Sequence, residues 1–233
     1  MSLRRKLEYM YTMLERNDPR LKGINLIVGD EYHANLFSSN IYSIGKKSIT
    51  LVDTGDSGDS KNIVKAFQEL DLNLGDIVNI IITHSHEDHW GSLAELLMIV
   101  PFNIMVYKED INYYEDIIGN PKGIKEHKIV GLVDGDVVHA EGHKLRAIHT
   151  PGHDSGSICL YDYDHSILFS GDTVFASGTT GSARSGNIDD LKRSLKLLAA
   201  MEIDIMLPGH GNISYEKSNE VIKLAFDRLA WND

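Results

Sequence analysis

The sequence predicts an α/β fold made of two β-sheets flanked by helices, with its chemically active residues gathered along one edge of the sheets. Two observations carry that prediction. Short apolar runs rich in Ile, Val and Leu fall into two groups, and stretches of helical periodicity lie within or after each group. Several of those runs also end in a turn that holds a histidine or an aspartate, most of them directly behind a glycine. No Pro-, Gly- or Ser-rich linker divides the 233 residues, so a single domain over 1–233 is expected.

Taken in order, Leu7, Met10, Tyr11 and Leu14 recur at helical spacing and predict an amphipathic helix over 1–17. It would lie on its own domain or on a second subunit of a homodimer. Strands come next at 24–29, 40–45 and 48–53, then a helix at 60–71. The run 77–82 is short, β-branched and without helical period, which is the pattern of a buried strand, and 93–98 reads as a helix. The segment 107–123, with Tyr113 and Tyr114, reads as a surface helix over packed tyrosines or as a lid. A second group of strands is expected at 103–107, 136–139, 144–149, 156–161 and 166–170. Helices at 187–201 and 214–230 enclose a last strand at 204–207. The first of these helices has Asp189 and Asp190 in its first turn, which suits the helix dipole.

Composition narrows the function. A formal charge of −11 opposes binding to a phosphate backbone, so nucleic acid is not an expected partner and a small molecule is. No apolar stretch approaches the roughly 20 residues that span a bilayer. Glu8 and Glu15 interrupt any signal-peptide core, and cytoplasmic residence is expected. The lone cysteine, Cys159, lies in a strand-like run and reads as a buried structural thiol.

The densest chemistry is Thr83-His84-Ser85-His86-Glu87-Asp88-His89, three imidazoles and two carboxylates directly after a strand. Imidazole nitrogen suits zinc, iron or manganese, and this ligand density is that of a transition-metal site. On a chain still extended, His84 and His86 project the same way and can grip one ion, while Asp88 and His89 at the helix start point elsewhere. That geometry suggests two metals. Thr150-Pro151-Gly152-His153, Ser170-Gly171-Asp172-Thr173 and Leu207-Pro208-Gly209-His210 would complete the set. His153 joins His84 and His86, His210 joins Asp88 and His89, and Asp172 has two oxygens with which to bridge both ions. The glycine before each ligand lets the backbone bend close to an ion.

With these motifs in order, the chain resembles the metallo-β-lactamase superfamily, and within it the glyoxalase II-like hydrolases. The resemblance runs from Asn40 through Leu51-Val52-Asp53-Thr54-Gly55 and the intact H-x-H-x-D-H element to His210-Gly211. It implies a four-layer αββα sandwich and the dinuclear ligand set above. It also implies a supporting role behind the ligands for Asp53, whose place before Gly55 equally suits a plain turn residue, with the same supporting role or simple packing for His149. The bridging aspartate marks the hydrolase branches and is lacking in the antibiotic-degrading enzymes, so Asp172 argues against β-lactams. Glyoxalase II holds glutathione with a further helical domain, for which the 23 residues after His210 leave room for one helix. Strict glutathione recognition is therefore not expected. Where many relatives carry a Gly-Arg pair, this chain has Gly178 to Arg184, and Arg184 is a candidate for a substrate carboxylate or a solvated loop residue. His33, His127, His139, His143 and His165 lack partners at ligand spacing and read as exposed or simply hydrogen-bonded.

The expected chemistry is hydrolysis of a small thioester, ester or lactone by a hydroxide held between two divalent ions, zinc first, with iron or manganese as alternatives. Metal binding lowers the pKa of water to about 7, and Asp88 would orient the nucleophile. Two readings stand beside it. One is a mononuclear iron persulfide dioxygenase using His84, His86 and His153, and the other is a non-catalytic metal-binding scaffold.

Overall fold

The computed structural model describes residues 12–28, 38–119, 122–183 and 185–230. A seven-stranded sheet runs in chain order through β1 (Thr12–Met13), β2 (Ile24–Val28), β3 (Ile41–Ile44), β4 (Ile49–Val52), β5 (Ile77–Ile81), β6 (Phe102–Tyr107) and β7 (His127–Leu132). Its first four strands pair antiparallel and the pairs from β4 to β7 are parallel. A five-stranded sheet, ordered β12-β11-β10-β9-β8, contains β8 (Val137–Ala140), β9 (His143–His149), β10 (Ile158–Asp162), β11 (Ile167–Gly171) and β12 (Ile205–Pro208). Here β11 and β12 are parallel and the other pairs antiparallel, so β9, β11 and β12 all point the same way.

Three apolar clusters define four layers. Tyr42, Ile44, Val52, Ile81, Leu145, Leu160, Phe169 and Leu207 fill the space between the sheets. Behind the larger sheet, Ile49, Leu51, Ile80 and Ile104 meet Ile63, Ala66 and Phe67 of α1 (Ser60–Glu69), Leu93, Leu96 and Leu97 of α3 (Leu93–Leu97), and Tyr114 and Ile118 of α4 (Ile111–Ile118). Behind the smaller sheet, Cys159, Tyr161, Leu168 and Met206 meet Leu191, Leu195 and Leu198 of α5 (Ile188–Ala199) and Ile222 and Ala225 of α6 (Ser218–Ala230). Each Val, Leu, Ile, Phe or Met side chain among them stabilises the fold by roughly 1.5–3 kcal/mol when fully buried.

Several boundaries differ from expectation for identifiable reasons. Of the helix expected over 1–17, residues 1–11 lie outside the described residues, and the remainder forms β1 and a 3-10 turn, Leu14–Arg16. Thr12 and Met13 pair with Leu26 and Asn25, so sheet pairing replaces helical bonding there. The last helix starts at Ser218 rather than 214, because Ser214 exchanges both backbone hydrogen bonds with Met206 and Lys217 takes a positive φ of 58°. Strand β7 has no counterpart in the sequence reading; all but one of its residues keep some solvent exposure, so it lacks a clear apolar alternation. The 107–123 segment forms a 3-10 turn, Lys108–Asp110, followed by α4. No helix among the described residues is long and apolar enough to cross a membrane.

Candidate metal centre

Parallel strand direction sets where the chemistry lies. The segments after β4, β5, β9, β11 and β12 emerge at one edge of the sandwich, and they deliver Asp53, residues 83–89, His153, Asp172 and His210. His86, in extended backbone, is the N-cap residue of the short helix α2 (Glu87–Trp90); His84 precedes it at a bend, while Asp88 and His89 lie within the helix's single turn. Close approach is enforced by glycine. A Cβ on Gly209 would stand 2.4 Å from Asp172 Oδ1, and one on Gly152 would stand 2.3 Å from the backbone of Leu191. No other residue type fits at either position.

The structure brings all seven sequence-predicted ligands together in linked groups. His84, His86 and His153 form one, Asp88, His89 and His210 another, and His84, His89 and Asp172 a third that joins them. His153 Nε2 lies 3.1 Å from His84 Nε2 and 2.9 Å from His86 Nδ1, and the latter two nitrogens are 3.2 Å apart. On the other side, His210 Nε2 lies 3.1 Å from Asp88 Oδ2. Asp172 stands between the sides: Oδ2 is 3.6 Å from both His153 Nε2 and His210 Nε2, and Oδ1 is 3.3 Å from His89 Nε2.

Hydrogen bonds behind the ligands decide which nitrogen faces inward. His153 Nδ1 sits 2.8 Å from the Ser182 carbonyl, which can only accept, so its proton is at Nδ1 and a lone pair remains at Nε2. Ser185 Oγ gives its hydrogen to the His153 carbonyl and therefore accepts from His86 Nε2, 2.7 Å away, leaving the lone pair on Nδ1. Thr83 Oγ1 gives its hydrogen to Asp53 Oδ2 and accepts from His84 Nδ1 at 3.1 Å. Asp53 Oδ2 also accepts from His89 Nδ1 at 2.8 Å. Four imidazole lone pairs thus converge on two carboxylates. His89 Nε2 and Asp172 Oδ1 are buried with no hydrogen-bond partner, since their 3.3 Å approach is misaligned for one. A divalent cation fits this donor set, because it accepts from every one of these atoms where protons could satisfy only some.

Electrostatics agree with that fit. Burial pushes His84 well below the ordinary imidazole range, and neighbouring imidazoles add to it; burial likewise lowers His153. Both are therefore neutral and able to coordinate. Burial alone would raise Asp172, but His89, His84 and His210 outweigh it and hold the carboxyl well below the usual range. Asp88 is also lowered, by His210 and His89 against burial. His89 goes the other way: Asp53 and Asp172 overcome its burial and raise it well above its ordinary value. Positive charge is favoured just beyond its Nε2, whether carried by a proton or a cation.

Other predicted residues have distinct places. Asp53, at a positive φ of 61°, orients His89 directly and His84 through Thr83, and it accepts the Thr83 N–H at 2.8 Å. His149 stands outside the cluster, stacked 4.1 Å from the Tyr107 ring with Nε2 donating to the Ser155 carbonyl. Arg184 lies outside the described residues. Sequence reasoning missed Ser185, and also Asp154, which accepts from Ser85 N and Oγ and so holds the metal turn. It missed the aromatic brace as well: Tyr114 Oη donates to the His84 carbonyl, while Trp90 Nε1 and Tyr113 Oη donate to that of Ser85. These tyrosines hold the turn from behind and do not form a lid. Beside His210, Phe175, Ala176, Ser177, Asn212 and Ile213 line an open cavity of about 440 Å³.

Comparison with known proteins gives the family of the chain. Residues 34–210 match the model of the metallo-beta-lactamase superfamily. Hydroxyacylglutathione hydrolase of Pelagibacter ubique is 30% identical, over 80% of this chain and 71% of its own length. A probable polyketide biosynthesis zinc-dependent hydrolase of Bacillus velezensis is 32% identical over 72% of this chain and 70% of its own. Thioesterase pkgB of Emericella nidulans is 26% identical over 84% of this chain. The chain spans about half the length of that fungal relative, 52%. In fold, a metallo-beta-lactamase family protein from Thermus thermophilus superposes with a TM-score of 0.68, at 21% identity, over 90% of this chain and 79% of its own. The chain belongs to the metallo-beta-lactamase superfamily.

Proposed function

We propose that this member of the metallo-beta-lactamase superfamily is a dinuclear metal-dependent hydrolase of small thioesters, with lactones and simple esters as lesser substrates. The single observation that carries the reading is Asp172, whose Oδ2 lies 3.6 Å from His153 Nε2 of one donor group and equally far from His210 Nε2 of the other, while Oδ1 faces His89 of that second group. His84, His86, His153 and Asp172 would hold one ion, and Asp88, His89, His210 and Asp172 the other. Two divalent ions, zinc first among the candidates, would lower the pKa of water to about 7 and polarise a carbonyl. The protein's own part is to fix the ligands and to orient the attacking group. Asp88 is partly exposed at the mouth, with Oδ2 beside His210, and is the carboxylate able to accept a proton from an incoming water. Asp53 keeps His84 and His89 in the coordinating tautomers throughout.

Substrate class follows from leaving group and pocket. A thiolate leaves with little need of protonation. The apolar walls of Phe175, Ala176 and Ile213 suit a short acyl chain, and relatives named as a thioesterase and a hydroxyacylglutathione hydrolase support the same class. A panel of S-lactoylglutathione, a short acyl thioester, a homoserine lactone, nitrocefin and a bis-phosphodiester, compared by kcat/KM at fixed metal content, tests it. Thioesters are expected to lead, with β-lactam and phosphodiester far behind. A phosphodiester ahead by more than about tenfold, roughly 1.4 kcal/mol of transition-state preference, would overturn the acyl-transfer reading. Oxygen consumption with a persulfide substrate would replace it by the dioxygenase.

A further inference from the structure

A second histidine–aspartate cluster lies at the far ends of the strands that carry the metal centre. His143 opens β9 and is 4% exposed, Asp162 closes β10 and is fully buried, and His165 lies in the turn before β11. The sequence reading left His143 and His165 without ligand-spaced partners; the β9–β10 register, Asp162 opposite Leu145, brings them to one carboxylate. His143 Nδ1 lies 2.6 Å and His165 Nδ1 2.7 Å from Asp162 Oδ2, while Asp162 Oδ1 accepts the Asp164 N–H at 3.1 Å. The other nitrogen of His143, Nε2, is 2.9 Å from the Lys22 carbonyl oxygen.

These partners leave little choice of protonation. A carbonyl and a carboxylate only accept, and a neutral imidazole has one N–H. With one proton, His143 would set a lone pair against an oxygen in a buried place, which is unfavourable. The extra proton of the pair resides on the imidazole, because a carboxyl is ordinarily the stronger acid by more than two pKa units. Separations of 2.6 and 2.7 Å are hydrogen-bond lengths, shorter than the 2.9–3.2 Å between nitrogens in the metal centre.

We propose that His143 is a buried imidazolium that cross-links the two sheets at the end remote from the metal centre and releases as pH rises. Lys22 precedes β2 of the larger sheet, whereas His143 and Asp162 belong to the smaller one, so this proton ties one layer to the other. Related ties surround it. Glu141, before β9, accepts the N–H groups of Lys46, Lys47 and Ser48 between β3 and β4 at 2.8–3.2 Å, and Arg20 bridges Asp18 and Asp204. The titratable groups facing His143 are Asp162 and His165; Lys144 turns outward to Asp164. Burial alone would lower His143, but Asp162 and the Lys22 carbonyl outweigh it and raise it. A raised imidazole contributes fully below its unfolded pKa, about 6.5, and loses its contribution as pH climbs through the folded value.

Histidine-selective ¹⁵N NMR of the zinc-loaded protein tests this without any substitution. His143 is expected to carry protons on both nitrogens at pH 7 and to titrate above the ordinary imidazole range. In urea unfolding, His143→Gln, which keeps donors but cannot titrate, should flatten the decline of stability between pH 7 and pH 9. A singly protonated His143 at pH 7 would overturn the proposal. So would a zinc-dependent loss of its Nδ1 proton, which would mark a metal site in place of a proton-held one.

Discussion

The β9, β10 and β11 strands end in histidine–aspartate clusters at both extremes, and the two differ in what their inward atoms are left facing. At one end, four imidazoles spend their protons outward on Ser182, Ser185, Thr83 and Asp53, so lone pairs face lone pairs and carboxylate oxygens. At the other, the Nδ1 atoms of His143 and His165 meet a carboxylate and His143 Nε2 meets a carbonyl. The same residue types therefore offer a donor set that a cation fits in one place and, in our proposal, a proton-held clamp in another. What separates them is the partner behind each ring, which no tally of histidines records.

The largest effect expected from breaking this contrast falls on the metal side. Asp88→Ala should lower turnover on the order of 10³-fold or more, because the orienting carboxylate and a ligand are lost together. Circular dichroism and the thermal midpoint should change little, since the three apolar clusters are untouched. Activity near that of the parent in the metal-replete variant would break the assignment. Next, Ser185→Ala should weaken metal binding by roughly 10-fold, the lower end of what loss of an outer partner costs. Chelator competition measures this, and Ser185→Thr should restore it. Equal affinity in all three proteins would show that the His86 tautomer is set without Ser185.

A smaller effect sharpens the comparison from the clamp side. Holding His143 protonated ties stability to pH, with the contribution present at pH 6 and declining above neutrality, by up to about 1.4 kcal/mol per unit of raised pKa. Asp162, lowered by His143 and His165 against its burial, acts oppositely: its contribution holds above the ordinary carboxylate range and fades only as pH falls below it. The difference in urea midpoint between the parent and His143→Gln, which cancels the titration of the metal-centre histidines, should therefore be largest near pH 5–6 and shrink on the alkaline side. Metal content should stay constant over the same range from pH 6 upward. A difference that grows between pH 7 and pH 9 would contradict the sign.

Legibility in the sequence followed the range of the interactions. The 83–89 element was readable because its ligands are neighbours in the chain, and the Gly-ligand junctions because glycine at a strand end has a local meaning. Ser185 and Asp154 gave no signal, since a lone serine or aspartate in a loop acquires a role only once the fold brings His86 or Ser85 beside it. His143 and His165 have no partner at ligand spacing in the chain, and Asp162 carries no signal of its own. Their meeting depends on antiparallel register and on the Lys22 carbonyl, 121 residues away along the chain. β7 was missed because a half-exposed edge strand carries neither a continuous apolar run nor clean alternation.

The most direct test of the central claim is metal stoichiometry by elemental analysis, taken on the parent protein and on Asp172→Ala after equilibration with zinc. The account predicts close to two ions per parent chain and at most one in the variant, because Asp172 faces both donor groups. One ion per parent chain that added zinc, manganese or iron cannot raise would contradict it.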